Sequence, residues 1–183
     1  MENPTIKFKS IGQNCQISPF ARFYNPENIE IGDNVRIDDF CIISAGVGGI
    51  KFGNHIHVAV MVTMIGAGRI ELKDYAQVAA KSSILSSSDD FSGEYLIGPC
   101  VPKETRNVRN LPVTLERYSV LGCNSVVFPG VTIGENAGTG AFTLVRKDLE
   151  PDSLYVGNPA KKIKDRQRFD WEAEFLNQLD WHK

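Results

Sequence analysis

The chain has 183 residues, of which 42% are hydrophobic and 23% charged, and its formal net charge is -2. That length suffices for one domain with a sizeable core, and the near-neutral balance offers no global attraction to nucleic acid or an anionic membrane. No apolar run is long enough to span a bilayer, and "MENPTIKFKS" lacks the apolar stretch of a secretory signal, so a cytoplasmic protein is expected.

From Ile11 the chain falls into frames of six residues that begin on an aliphatic side chain. "IGQNCQ" starts at Ile11, "IGDNVR" at Ile31, "FGNHIH" at Phe52 and "LKDYAQ" at Leu72, each followed directly by a second frame at Ile17, Ile37, Val58 or Val78. The fifth place holds small or mostly β-branched residues and no charge: Cys15, Ala21, Val35, Cys41, Ile56, Val62, Ala76 and Ser82. Glycine favours the second place. A period of six is not helical, and plain strand alternation does not demand two inward sizes. Short strands separated by sharp turns satisfy both, with large aliphatics in the centre, small residues at the corners and glycine at the bend. Three such strands make a triangular coil, and coils stack as parallel sheets. The residues in excess of the frame, in "NPEN", "AGVGG" and "GAGR", then gather at one corner.

Cys15 and Cys41 fill the small inward slot as buried thiols. With Cys100 and Cys123 they form no CxxC pair, so neither a zinc cage nor, in the cytoplasm, a disulfide is expected. Residues 89–112, "DDFSGEYLIGPCVPKETRNVRNLP", break the frame and predict a protruding, functional loop. The frames resume at Leu115, Leu121, Val127, Ile133 and Thr139 and stop after Val145. Residues 1–165 are thus one β-helical domain, and 166–183, "DRQRFDWEAEFLNQLDWHK" in context, predict a C-terminal helix that caps the stack.

Of the three histidines, His55 and His57 flank the inward Ile56, so both are expected to point outward. Histidine titrates near neutrality and suits proton transfer. With only these two on the coils, a three-histidine zinc site is not expected.

"IGDNVRI", "SVVFPGVTIGENAGTGAFTLVRKDLEP" and "YVGNPAKKIK" resemble the hexapeptide-repeat acetyltransferases over roughly residues 11–165, within the maltose, galactoside and xenobiotic acetyltransferase group and nearest in appearance to the O-antigen and capsule sugar acetyltransferases. The resemblance implies a left-handed parallel β-helix, a homotrimer, acetyl-CoA as donor, no metal, and an active site between subunits toward which the loop reaches. It implies a sugar or nucleotide-linked amino sugar as acceptor, with an antibiotic acetyltransferase or an inactive trimeric scaffold as alternatives. Sugar acetyltransferases with a similar "HIHVA" stretch carry a histidine at the place of His57, which makes it the favoured base, with His55 to orient it or simply solvated. Better-known members carry their base at the start of the loop. Here "SSSDDFSGEY" has no histidine, and Asp89 and Asp90 stand there instead, as a base or as groups that position the acceptor. Donor binding is implied on the last coils: backbone amides near Gly122, Gly140 and Ala141 for pantetheine and adenine, and Arg146, Lys161, Lys162 and Lys164 for the phosphates.

Overall fold

Strands of two to four residues alternate with turns from Ser10 to Val145, and every third strand returns to the same sheet. The computed structural model describes residues 6–168 and residue 170; the helix expected over 166–183 lies, from residue 171 on, outside the described residues. The first face holds six strands, from Ser10–Ile11 to Thr132–Ile133, the third face six, from Arg22–Tyr24 to Leu144–Val145, and the second face eight. The fold is therefore all-β, a left-handed parallel β-helix. First-place residues stack in register: Ile31 beside Phe52, Phe52 beside Leu72, Leu72 beside Leu115, Leu115 beside Ile133.

The two inward sizes fill the prism as the frame requires. Phe52, Val58, Leu72, Leu115 and Leu121 are buried from the first place, and Val35, Cys41, Ile56, Ala76, Ser82 and Ser125 from the fifth. Full burial of each large side chain contributes about 1.5–3 kcal/mol. Only the first coil departs: Ile11 is exposed and Cys15 half-buried, because no coil precedes them.

The fourth place makes the corner. Asn14, Asn34, His55, Tyr75, Tyr118 and Asn136 have φ between 55° and 63°, as do Phe40, Met61, Lys81, Asn124 and Phe142 at the second corner. The left-handed conformation turns the chain so that the fourth-place amide donates to the third-place carbonyl of the preceding coil, as His55 does to Asp33 and Tyr75 to Asn54, both at 2.9 Å. At the second place the coils touch by backbone. A Cβ on Gly32 would lie 2.5 Å from the Gly53 carbonyl oxygen, so glycine is needed there for room.

After Val145 the winding continues further than the frame indicates. Leu149 bridges to Ile133, Ser153–Val156 adds to the second face beside Gly138–Thr139, and the chain reverses through a cis Asn158–Pro159 bond into Lys161–Asp165, which pairs antiparallel with Ser153–Val156. The six-residue spacing is lost there, but the sheet is not. The frame-breaking segment is a loop tied at its base by an antiparallel ladder, Ser87–Ser88 against Arg109–Asn110.

The outward sides of the faces differ in chemistry. The first is charged, with Glu30, Lys51 and Glu71 in one row and ion pairs from Lys9 to Glu30 at 2.9 Å and Lys73 to Glu116 at 2.8 Å. The third is apolar: Tyr24, Ile42 and Ile65 are exposed, and Phe20, Phe40 and Met61 line the corner beside it. The second is polar and presents Arg36, His57 and Gln77 side by side.

Candidate active site

His57 opens the strand His57–Val58 of the second face, held between the inward Ile56 and Val58, which are 2% and 0% exposed. Its imidazole faces outward and is 44% exposed. It is not solitary, because Nε2 lies 2.8 Å from Asp38 Oδ2. Arg36 Nε donates to the other oxygen of Asp38 at 2.6 Å. Partial burial pushes the Asp38 carboxyl up, but hydrogen bonds from His57 and Arg36 outweigh it and hold the group below the ordinary carboxylate range. Gln77, on the other side of His57, donates to the carbonyls of His55 and Tyr75 at 3.0 and 3.3 Å and so does not compete for the imidazole.

His55 is placed differently from the sequence expectation. It occupies the corner, with φ 58°, rather than the strand face. Its ring stacks on Tyr75 at 4.8 Å, and Tyr75 stacks on Tyr118 at 5.0 Å, which makes an aromatic ladder up the corner. The physical reason is the frame itself, since the fourth place is always the turn. His55→Asn, which tolerates the left-handed conformation, is expected to keep turnover and stay within about 1 kcal/mol of the parent, whereas the β-branched His55→Val costs about 1–2 kcal/mol more; thermal melts beside a turnover assay measure both.

Asp89 and Asp90 start the loop at the third corner and share a cleft of about 410 Å³ with Phe91, Arg109, Phe128 and Arg146. The structure separates their roles. Asp90 accepts the Ser92 amide at 2.8 Å and Asn107 Nδ2 at 2.7 Å, and the hydrogen bonds from Ser92 and Asn107 hold its carboxyl below the ordinary range. It anchors the loop across 17 residues of chain. The Asp89 carboxylate accepts no hydrogen bond among the described residues and faces the cleft. Arg146, with its guanidinium 5.8 Å over the Phe128 ring, also lines a second cleft of about 630 Å³ with Tyr155, Pro159, Ala160 and Lys161. The two clefts therefore adjoin at Arg146.

The remaining donor-site residues are divided. The amides of Gly122 and Gly140 are used within the fold, donating to Thr139 Oγ1 at 2.9 Å and to the Tyr155 carbonyl at 2.8 Å, so these two do not offer their N–H groups to a ligand. A Cβ at Gly122 would lie 2.6 Å from the Gly140 carbonyl, so their glycine character is steric. Ala141 is exposed, and its amide has no partner among the described residues. Lys162 is held by Glu150 and Asp165, both at 2.9 Å, and these hydrogen bonds, Asp165 first, push its pKa well up. Lys164 is exposed on the same strand and does not line the cleft, which leaves Arg146 and Lys161 as its cations. Within one chain His57 lies on the second face and Asp89 at the third corner, so the fold does not bring them together. Among the described residues no three His, Cys, Asp or Glu side chains converge to hold a metal ion.

Asp38, Arg36, Arg109 and Phe128 were not singled out in the sequence. A signal existed for Asp38: stacking "IDDFCI" over "VAVMVT" in frame sets it diagonal to His57.

Stacked hexapeptide coils, a tied loop over a cleft and a second cleft on the last coils define the hexapeptide-repeat class of acyltransferases. No protein-family model matches the chain. It is 44% identical to a dTDP-4-amino-4,6-dideoxy-D-glucose acyltransferase of Escherichia coli over 161 residues, 88% of this chain and 84% of that protein. AntD, an N-acyltransferase from Bacillus cereus solved with dTDP-4-amino-4,6-dideoxyglucose and coenzyme A, matches with a TM-score of 0.89 at 39% identity, over 94% of this chain and 92% of that one. A probable macrolide acetyltransferase of Lysinibacillus sphaericus is 33% identical over 87% of this chain and 77% of its own length. The chain belongs to the hexapeptide-repeat acyltransferase family that includes the first two, and it is an acyltransferase with a CoA thioester as donor.

Proposed function

We propose that the protein transfers the acetyl group of acetyl-CoA to the amine of a dTDP-linked 4-amino-4,6-dideoxy sugar, in the cytoplasm, as a step toward a surface polysaccharide such as O-antigen. One observation carries this reading: the loop cleft joins an uncommitted carboxylate, Asp89, to two guanidinium groups, Arg109 and Arg146. A carboxylate suits an amine, and arginine forks suit a pyrophosphate. The substrates named for the E. coli and B. cereus relatives carry both groups. The adjoining cleft with Arg146 and Lys161, and the open Ala141 amide, suit the CoA phosphates and pantetheine.

In this reading Asp89 accepts hydrogen bonds from the sugar amine, and His57 of an adjacent subunit takes one amine proton as the nitrogen attacks the thioester carbonyl. The C–N bond forms, the tetrahedral oxyanion collapses, the C–S bond breaks, and the CoA thiolate recovers the proton.

A homotrimer supports this arrangement, since it lets the loop of one subunit reach the second face of the next. The apolar third face, with Tyr24, Ile42 and Ile65 exposed, is the surface that another copy covers. Replacing both Ile42 and Ile65 by Asp is expected to convert the trimer to monomers in light scattering after gel filtration, and to abolish turnover with it.

Calorimetric titration with acetyl-CoA, followed by a CoA-release assay with dTDP-4-amino-4,6-dideoxyglucose, tests the function. Saturation near one donor per subunit and turnover with the amino sugar are expected. No donor binding at millimolar concentration overturns the reading in favour of an inactive scaffold, and turnover with a macrolide alone overturns it in favour of antibiotic acetylation, which the macrolide relative favours.

A further inference from the structure

We infer that Asp38 is a positioning residue for His57, fixing its tautomer so that Nδ1 is the atom presented to the acceptor. This rests on the reading of His57 as the base. A carboxylate only accepts, so the 2.8 Å contact to Asp38 Oδ2 requires the hydrogen on Nε2 and leaves the lone pair of the neutral ring on Nδ1. No described residue other than Asp38 bonds the imidazole, so Nδ1 is open.

The fold holds Asp38 in turn. It follows Arg36 by two residues on the outward side of the same coil, and Arg36 Nε occupies its other oxygen at 2.6 Å. Arg36 is also the direct register partner of His57, so its cation opposes a proton on the ring. Asp38, between them, offsets that cation and gives the imidazolium a carboxylate partner. Beside Asp38 in the next coil stands Ala59, which hydrogen-bonds through its amide to the Val78 carbonyl at 2.9 Å and has no polar side chain to compete. Gln77, the neighbour on the far side, is neutral and committed to two carbonyls. Each outward group around His57 therefore leaves Asp38 as its single partner. During transfer the acceptor proton moves to Nδ1 while the Nε2 hydrogen stays on Asp38, and Nδ1 returns the proton to the CoA thiolate.

The test is a double-mutant cycle in the full-length protein, read by kinetics and by long-range ¹H–¹⁵N spectra of the histidines. Asp38→Ala is expected to lower kcat roughly tenfold to a hundredfold with the KM for acetyl-CoA within about twofold, and to remove the Nε2–H preference of His57. Asp38→Glu, which keeps a carboxylate, is expected to recover part of kcat. In a His57→Ala background Asp38→Ala is expected to cost nothing further, because a pair acting as one unit is lost once. An unchanged kcat and tautomer in Asp38→Ala, or an equal loss in both backgrounds, overturns the inference. Full turnover in His57→Ala alone overturns the base reading beneath it, and that failure is read from a different variant.

Discussion

His57→Ala is expected to lower turnover roughly a hundredfold or more while the assembly and melting temperature stay as in the parent. The expectation has two physical parts. First, the residue contributes little to folding. Its neighbours Ile56 and Val58 supply the buried surface, while its own ring is 44% exposed and makes one polar contact, to Asp38. Exposed pairs of this kind contribute about 0–1 kcal/mol. Second, its geometry is that of a base with one nitrogen held and one open. Steady-state CoA release with the amino sugar, beside light scattering and a thermal melt, separates the two parts. Near-normal turnover would remove His57 from the chemistry and leave Asp89 as the remaining group able to take a proton.

Asp89→Ala is expected to lower kcat/KM for the amino sugar by about a hundredfold and to leave the Kd for acetyl-CoA within about twofold, whereas Asp90→Ala weakens both substrates modestly. The two residues are adjacent and chemically identical, so the contrast comes from their surroundings. Asp90 spends its oxygens on Ser92 and Asn107 and so shapes the loop that walls the cleft. Asp89 turns an unpaired carboxylate toward Arg109 and Arg146 across a cleft of about 410 Å³. Removing Asp89 takes away a direct partner of the amine and leaves the loop anchored; removing Asp90 leaves the partner and loosens its frame. Separate titrations with donor and acceptor distinguish these outcomes, and equal effects of the two substitutions on both ligands would contradict the division.

The amino-acid sequence determined the coil. The large first place, the small fifth place and the second-place glycine are local demands of a three-sided prism, repeated every six residues, and Phe52, Ile56 and Val58 are buried as those places require. The outward direction of His57 follows from the same rule. The corner position of His55 was also legible, because asparagine, the residue most tolerant of the left-handed conformation, recurs at the fourth place in Asn14, Asn34, Asn124 and Asn136. The final half-coil at Ser153–Val156 was not, since the spacing lapses between Val145 and Leu149 while sheet pairing, which needs only backbone, goes on.

The tertiary structure alone decided the partners of outward side chains. Asp38 meets His57 across 19 residues of chain, Arg146 serves two clefts, and Lys162, read as a phosphate ligand, is taken by Glu150 and Asp165. An inward side chain has its environment set by its own place in the frame. An outward one depends on which coil lies above or below it, and corner insertions of variable length shift that neighbour without altering the frame. For this reason periodicity carried the core of this protein, and only the stacked coils showed which of its polar groups are free to act.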